Sequence, residues 1–256
     1  MRGFVAAAEA AADAAGAVIR PLFRSALLVE AKGDASPVTE ADRAAERAVR
    51  ALLRERFPAH GVIGEEYGAE RPEAEYVWVV DPIDGTRAFV TGRPLFGCLI
   101  GLLHRGRPIL GVIDQPSTGE RWIGVAGEPL LFRGPMGGNP RTRPCARLAE
   151  AELSCTSHEM FTAEEAPRFA RLRAAARRAT WGGDCYAYGL LALGLVDIIV
   201  ESDLKPWDWV PLVPVIEAAG GSMTDWSGQP LRLDGPGQVI AVGDKALLPE
   251  ALRLLA

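Results

Sequence analysis

VWVVDPIDGT, residues 77–86, is the most informative stretch of the sequence. Its apolar residues predict a buried strand, which leads into a tight turn with two carboxylates, a glycine and a hydroxyl group. Asp81 and Asp84 are hard oxygen ligands of the kind that Mg²⁺ prefers, with water and phosphate oxygens in its other positions. The backbone N–H groups of Gly85 and Thr86 suit a phosphate oxygen. The alternative is a structural turn in which both aspartates accept local N–H groups.

Three further acidic residues occur where a site could use them. Glu65 follows a short apolar run, Asp208 lies at the apparent start of a helix, and Asp42 stands three positions after Thr39. Each has an ordinary structural explanation: a solvated loop carboxylate, a helix N-cap, and the acidic member of a capping box. Taken singly, none of the three predicts a site.

Composition narrows the classes of function. The 256 residues contain 28 Lys and Arg against 33 Asp and Glu, a net charge of −5, so nucleic acid is not expected as the main ligand. The four cysteines have no CxxC spacing and the three histidines are far apart in the sequence, so carboxylates must carry any metal. Because we find neither a signal-peptide pattern nor a run of 18 apolar residues, we expect a cytoplasmic protein without membrane association.

The chain divides into two patterns. In the first, apolar periodicity predicts two helices, at residues 4–23 and 39–57, and then short strands joined as antiparallel hairpins, at residues 62–63, 76–80, 96–104, 108–113 and 121–125. A segment rich in Gly, Pro and Arg, residues 133–147, suggests a boundary, and we divide the chain into halves 1–138 and 139–256. The second half alternates helices at 164–178, 185–193 and 209–219 with strands at 196–200 and 239–242, and ends in a helix.

Five motifs, in order, resemble the inositol monophosphatase superfamily of Mg²⁺-dependent, lithium-sensitive phosphatases. They are KGDASPVTEAD at 32–42, IGEE at 63–66, DPIDGT at 81–86, WD at 207–208 and EAAGG at 217–221. The resemblance covers nearly the whole chain. It implies a fold of the α+β / α/β class. This fold is a five-layered αβαβα sandwich of the inositol monophosphatase and fructose-1,6-bisphosphatase type. It also implies a site between the halves and a homodimer.

The resemblance also implies a ligand set. It assigns one Mg²⁺ to Glu65, Asp81 and the carbonyl of Ile83, and a second to Asp81, Asp84 and Asp208, with a third, looser ion near Glu65. Thr86, supported by Asp42 and with Glu65 beside them, would orient and deprotonate the attacking water. The N–H groups of Gly85 and Thr86 would hold the phosphate, and no phosphoenzyme would form. An aspartyl-phosphate mechanism needs the spacing Asp-x-Asp, whereas Asp81 and Asp84 are three positions apart. We therefore reject that mechanism.

Substrate choice depends on WGGDCY, residues 181–186. Asp184 follows Gly183, and together with Glu201 it would favour an alcohol that carries a positive charge. The alternative is that Asp184 caps the helix that follows. This segment, RAF at 87–89 and LKPWD at 204–208 are similar to the histidinol-phosphate phosphatase branch of the superfamily. We therefore expect hydrolysis of L-histidinol phosphate, a step of histidine biosynthesis, and keep an inositol-1-phosphate or broad-specificity phosphatase as the alternative.

A hypothesis of another class concerns arginine. The segments 133–147 and 168–178 are rich in this residue and could contact a protein or RNA, although a solvated face or a dimer edge is the simpler interpretation. Lys205 has no assigned role: it could contact substrate or pack beside Trp207.

Overall fold

A computed structural model describes the backbone of residues 1–25, 29–31 and 37–256, and the side chains of residues 1–25 and 40–256. Eight α-helices are present in these ranges: α1 Arg2–Leu22, α2 Glu40–Arg56, α3 Thr86–Val90, α4 Glu165–Ala175, α5 Asp184–Ala192, α6 Pro206–Trp209, α7 Leu212–Ala218 and α8 Leu248–Leu255. Short 3-10 helices lie at Leu148–Glu150, His158–Met160 and Lys245–Leu247.

The same ranges contain fourteen strands. They are β1 Val29–Ala31, β2 Pro37–Thr39, β3 Gly61–Gly64, β4 Gly68–Glu70, β5 Tyr76–Asp84, β6 Gly97–His104, β7 Arg107–Gln115, β8 Glu120–Val125, β9 Leu131–Arg133, β10 Glu152–Cys155, β11 Arg178–Trp181, β12 Ile198–Glu201, β13 Ser222–Thr224 and β14 Val239–Val242. A seven-stranded sheet has the order β4-β3-β5-β6-β7-β8-β9, and a five-stranded sheet has the order β11-β10-β12-β14-β13. Both sheets are mixed, because β3 is parallel to β5 and β10 is parallel to β11 and β12.

Three hydrophobic cores hold five layers together, because the central helices share the second core with both sheets. In β6, Cys98, Ile100 and Leu102 face a core shared with α1 and α2, because alternate residues of a strand point to opposite faces. Leu99 and Leu103 face a second core, which the seven-stranded sheet shares with α5, α6, α7 and one face of the five-stranded sheet. The other face of that sheet packs against α4 and α8 in a third core. The predicted αβαβα sandwich is confirmed.

A row of glycines allows the central helices to approach the seven-stranded sheet closely. Gly101 pairs with Gly111, and Gly111 pairs with Gly124, so the three lie side by side across β6, β7 and β8. A Cβ atom at Gly111 would stand 1.8 Å from the carbonyl oxygen of Pro211, and one at Gly124 would stand 2.2 Å from that of Pro214. The absence of side chains there lets the segment that carries Asp208 lie directly on the sheet.

Most predicted elements are present, with corrections at their ends. The strand predicted to end at residue 80 continues to Asp84, with a register shift opposite β6 between Asp81 and Asp84. The helix predicted to end at 178 ends at Ala175, and the chain then forms β11 as an edge strand beside β10. The helix predicted from 209 is divided into α6 and α7. The N-terminal sheet is not wholly antiparallel, because β3 and β5 pair in parallel.

Two sequence predictions fall partly outside the described residues. Residues 32–36 of the first motif lie outside them, as does the Thr39 side chain of the predicted capping box. Among the described residues, no helix has the length and apolar character needed to cross a bilayer. Residues from both sides of position 138 share the second core, so the two halves pack together. The division of the chain at residue 138 remains a proposal.

Candidate active site

Three aspartates converge between the two sheets. Asp81 and Asp84 come from β5 and Asp208 from α6, and one carboxylate oxygen of each lies within 4.8 Å of the others. Glu65 immediately follows β3, the parallel neighbour of β5, and its side chain is close enough to Asp81 to share a hydrogen bond with it. Residues that are 143 positions apart in the sequence, Glu65 and Asp208, thus belong to one acidic cluster.

Local backbone geometry aims these side chains. The N–H of Ile83 donates to Oδ1 of Asp81 over 3.0 Å, so the bulged end of β5 folds around the first carboxylate. Asp84 instead accepts a hydrogen bond from the backbone N–H of Cys185, in the C-terminal half. Asp208 is the third residue of α6 rather than its N-cap, and its Oδ2 accepts from the N–H of Lys205 over 2.7 Å. Pro206 begins this helix, as proline favours the first helical position.

The turn after β5 holds the predicted water-activating group. Gly85 has φ of 86°, a left-handed conformation that glycine adopts without strain, and α3 begins at Thr86. The Thr86 hydroxyl lies 3.4 Å from Oδ1 of the fully buried Asp42 and 3.1 Å from the carbonyl oxygen of Ile83. The Thr86 hydroxyl therefore contacts both Asp42 and the Ile83 carbonyl.

Burial and mutual repulsion disfavour the charged forms of the cluster. Burial, followed by the charge of Asp208, raises the pKa of Asp84 to about 7. The pKa of Asp208 is also raised to about 7, by burial first and by neighbouring carboxylates. The pKa of Asp81 lies well above its ordinary value because of burial and the proximity of Glu65 and the other two aspartates. Such a cluster suits a cation, because a positive charge would relieve both costs.

The donor set fits a hard divalent metal. Carboxylate and carbonyl oxygens are the ligands of Mg²⁺, Ca²⁺ and Mn²⁺, and no His or Cys side chain belongs to this group of described residues. The chemistry of the donors therefore agrees with the expected metal class.

A bipartite cavity adjoins the cluster. One part, of about 480 Å³, is lined by Glu65, Thr86 and Asp184, among others. The other, of about 200 Å³, is lined by Asp84, Asp184, Glu201 and Asp208, among others. Asp184 belongs to both linings, so the two parts meet beside it. A larger groove of about 750 Å³ contains none of the predicted site residues.

Asp184 is the unusual acid of this cavity. It has φ of 45° and follows Gly183, the N-cap residue of α5. Within the described residues its carboxylate accepts no hydrogen bond, so a helix-capping role has no support in the structure. Its side chain lies against Gly85, since a Cβ atom there would be 3.0 Å from Asp184 Cβ. Burial, followed by the charge of Asp84, raises the pKa of Asp184 to about 8.

Glu201 lies deeper and is better satisfied than Asp184. It is 4% exposed and accepts hydrogen bonds from the Thr156 N–H and the Tyr188 hydroxyl, each over 2.8 Å. Its pKa is raised by burial. Sequence reasoning identified Glu201 but missed Thr156 and Tyr188, because a threonine after a short strand and a tyrosine in a small-residue helix are ordinary core residues.

The remaining sequence candidates have structural roles. The Nζ of Lys205 pairs with the exposed Asp203 over 2.5 Å, and the Lys205 backbone supports Asp208 as described above. Several arginines of the two arginine-rich segments are paired within the chain, for example Arg143 with the buried Asp197 over 2.6 Å. This pairing gives the protein or RNA contact hypothesis no support.

Comparison with known proteins gives the class and then the family. A family model described as the inositol monophosphatase family matches residues 1–255, so the protein is a phosphatase. The chain belongs to the inositol monophosphatase family, whose members are metal-dependent phosphoric monoester hydrolases.

Three relatives show the range of names within this family. The bifunctional phosphatase IMPL2, chloroplastic, of Arabidopsis thaliana is 44% identical over 98% of this chain and 75% of its own length. A histidinol-phosphatase of Mycobacterium tuberculosis is 36% identical over 94% of this chain and 93% of its own. The solved structure of an inositol monophosphatase from Zymomonas mobilis is 46% identical, has a TM-score of 0.90, and matches 99% of this chain and 98% of its own.

Proposed function

We propose that this phosphatase hydrolyses L-histidinol phosphate with Mg²⁺ as cofactor, in histidine biosynthesis. The observation that carries the substrate assignment is the unpartnered carboxylate of Asp184, which lines both parts of the cavity beside the acidic cluster. A hydroxyl group of a neutral polyol could donate a hydrogen bond to this half-buried acid but would leave its charge uncompensated. Arg93 and Arg87 act on Asp184 only through their charges, without a hydrogen bond to its carboxylate, whereas an alcohol with an ammonium or imidazolium group would supply a direct cationic donor.

The electrostatics of this corner support the same substrate. Asp184 lies near Asp84 and Glu201, and all three carboxylates are costly to ionise together. Burial and neighbouring charges hold the pKa of Asp184 at about 8. A cation bound beside this acid would favour its ionised form, and the ionised form would attract the cation. A sugar phosphate with further anionic groups would meet repulsion at the same place.

The metal ligands that we propose are Glu65, Asp81, the carbonyl of Ile83, Asp84 and Asp208, holding two Mg²⁺ ions, with a third near Glu65. When bound, these ions would neutralise phosphate charge and increase the acidity of a water. Gly85 and Thr86 offer the first N–H groups of α3, which have no partner within that helix, to a phosphate oxygen.

Thr86 and Asp42 orient the attacking water in this proposal. A hydroxyl group has one hydrogen to donate and two lone pairs that accept. The Thr86 hydrogen has acceptors at Asp42 and Ile83, so a lone pair of Thr86 is left to accept a hydrogen bond from the attacking water. Glu65, from the adjacent strand end, faces the same part of the cavity and would take the water proton.

Relatives with both kinds of name keep the alternative substrate open. Besides the histidinol-phosphatases, a probable inositol 1-monophosphatase of Mycobacterium tuberculosis is 35% identical over 87% of this chain. An inositol-1-phosphate or broad-specificity phosphatase is therefore the competing outcome. A homodimer and a cytoplasmic location are predictions that remain to be tested, and one relative is chloroplastic by name.

The test is phosphate release, with Mg²⁺, from L-histidinol phosphate, myo-inositol 1-phosphate and a 3′-phosphonucleotide. The wild type is compared with Asp184→Asn, which keeps the shape and removes the charge. Asp203→Asn is the matched control, since that acid also lines the cavity but is exposed and already paired with Lys205. A preference for histidinol phosphate that is lost only in Asp184→Asn supports the proposal. Equal turnover of the three substrates by the wild type, left unchanged by Asp184→Asn, contradicts it.

A further inference from the structure

One face of α2 contacts two separate parts of the proposed catalytic machinery. Asp42 and Glu46 are one helical turn apart, and both are fully buried acids. Asp42 lies against Thr86, as described above. Glu46 does not belong to the motifs that carry the family resemblance. Its surroundings nevertheless indicate a role for it.

The Glu46 carboxylate binds the turn that carries Glu65. Its Oε2 accepts the backbone N–H of Glu66 over 2.7 Å, and its Oε1 accepts the N–H of Tyr67 over 3.3 Å. The N–H of Glu65 itself donates to the carbonyl of Val80 in β5 over 3.2 Å. The turn is thus held to the sheet at Glu65 and to α2 in the next two residues.

Packing on the other side of this turn leaves Glu46 little freedom. A Cβ atom at Gly64 would stand 2.1 Å from Oε1 of Glu46, so the strand can approach the carboxylate only because residue 64 is glycine. Arg50, one turn further along α2, donates from Nε to the same oxygen over 2.7 Å and also contacts the carbonyl of Gly68. The ion pair is buried, with the Arg50 side chain 9% exposed and that of Glu46 0%.

We infer that Glu46 is a positioning residue, which sets the place of Glu65 in the divalent-cation site through the N–H groups of the 65–67 turn. Helix α2 then acts as a common frame: Asp42 orients Thr86, and Glu46 orients Glu65. A buried carboxylate that only balanced Arg50 would not need to accept two consecutive turn N–H groups. This inference rests on the proposed assignment of Glu65 as a metal ligand.

The test is divalent-cation binding without substrate, measured by calorimetry with Mn²⁺ and with Mg²⁺, together with thermal unfolding of each variant. Glu46→Gln leaves one oxygen where two now accept three N–H groups, so at least one donor loses its acceptor. We expect its cation dissociation constant to rise roughly tenfold or more, the size typical of residues that orient metal ligands. The Mg²⁺ concentration for half-maximal activity should rise in parallel.

Further variants keep the inference falsifiable if Glu46→Gln does not fold. Glu46→Asp retains the charge but is one methylene too short, and Gly64→Ala displaces the carboxylate from the opposite side; both should weaken cation binding in the same direction. Arg54→Gln is the control on the same helix, because among the described residues Arg54 pairs with the partly exposed β4 residue Glu70 and not with Glu46. It should leave cation binding unchanged.

The two proposals fail in different ways. Glu65→Gln should weaken cation binding at least as much as Glu46→Gln. If Glu65→Gln weakens binding and folded Glu46→Gln and Glu46→Asp bind as the wild type does, the positioning role is wrong and Glu46 is only structural. If Glu65→Gln binds cations as the wild type does, the proposed metal site itself is wrong.

Discussion

The backbone N–H of Cys185 donates a hydrogen bond to Oδ2 of Asp84, a residue 101 positions earlier in the chain. This bond fixes the start of α5 to the end of β5. It therefore brings Asp184, the proposed substrate-recognising acid, beside a proposed metal ligand. Phosphate and leaving group would occupy adjacent parts of one cavity because of this connection.

Asp84→Asn should stabilise the metal-free protein but weaken its use of the metal. Removing one of three clustered carboxylates should raise the melting temperature of the metal-free protein, because burial and repulsion already disfavour its charged form. It should also lower kcat/KM by more than the roughly 10- to 100-fold typical of residues that only support a ligand. Both effects are measured by thermal unfolding and steady-state kinetics with varied Mg²⁺. Asp234→Asn, at an exposed pair with Arg232, is the control. A Mg²⁺-dependent stabilisation of Asp84→Asn equal to that of the wild type would refute the assignment.

The metal-free protein should lose stability as the pH rises. Asp84 and Asp208 have folded pKa values of about 7, above the ordinary value of about 4 for an unfolded chain. The folded state therefore binds protons more tightly, and its free energy of unfolding falls between about pH 4 and pH 7. Melting temperatures in a chelator at pH 5 and pH 8 measure this effect. Added Mg²⁺ should raise the melting temperature more at pH 8. A flat profile in the chelator, identical in wild type and Asp84→Asn, would show that these acids do not titrate as described.

Gly111→Ala should damage both stability and activity. Its Cβ atom would overlap the Pro211 carbonyl, and backbone cannot move aside as a flexible side chain can. Overpacking typically costs about 1–3 kcal/mol, and here the displaced segment carries Asp208. Denaturant unfolding and the Mg²⁺ dependence of kcat measure the two effects. Gly3→Ala, with nothing within 4 Å of the new methyl group, should be neutral or slightly stabilising. If Gly111→Ala matched Gly3→Ala, the close approach of α6 and α7 to the sheet would be wrong.

Thr86→Val tests the proposed water-orienting group. Valine keeps the shape of the side chain but can neither accept a hydrogen bond from water nor donate to Asp42. We expect kcat to fall by roughly 10²–10⁴-fold, the usual contribution of proton transfer by a positioned group. Thr86→Ser, which keeps the hydroxyl, should retain most activity in the same assay. Equal loss in both variants would indicate a packing role for the threonine methyl group instead.

Much of the architecture was predictable because its signals are local. The apolar periodicity of α1 and α2, and the turns between β6, β7 and β8, follow directly from residue types. Strand β11 was not predictable: its sequence RATW is largely exposed, and only pairing with β10 makes it a strand. In this segment, pairing with a neighbouring strand decides the structure, not the intrinsic preferences of the residues.

The site shows the same division. The turn containing Asp81, Asp84 and Thr86 has a compact local motif, so it could be proposed as a site from the sequence alone. Glu46 could not be identified, because an acid within an amphipathic helix ordinarily reads as a solvated residue. Its burial depends on a turn twenty positions later, which no local pattern reveals.

The most direct test of the central claim is an internal competition, in which the purified protein with Mg²⁺ receives equal amounts of L-histidinol phosphate and myo-inositol 1-phosphate. The ratio of the two released alcohols gives the ratio of kcat/KM values, independent of the fraction of active protein. We predict a strong excess of histidinol for the wild type, and loss of that excess in Asp184→Asn at comparable total turnover. An excess of inositol, or a ratio that Asp184→Asn leaves unchanged, would contradict recognition of a cationic substrate by this acid.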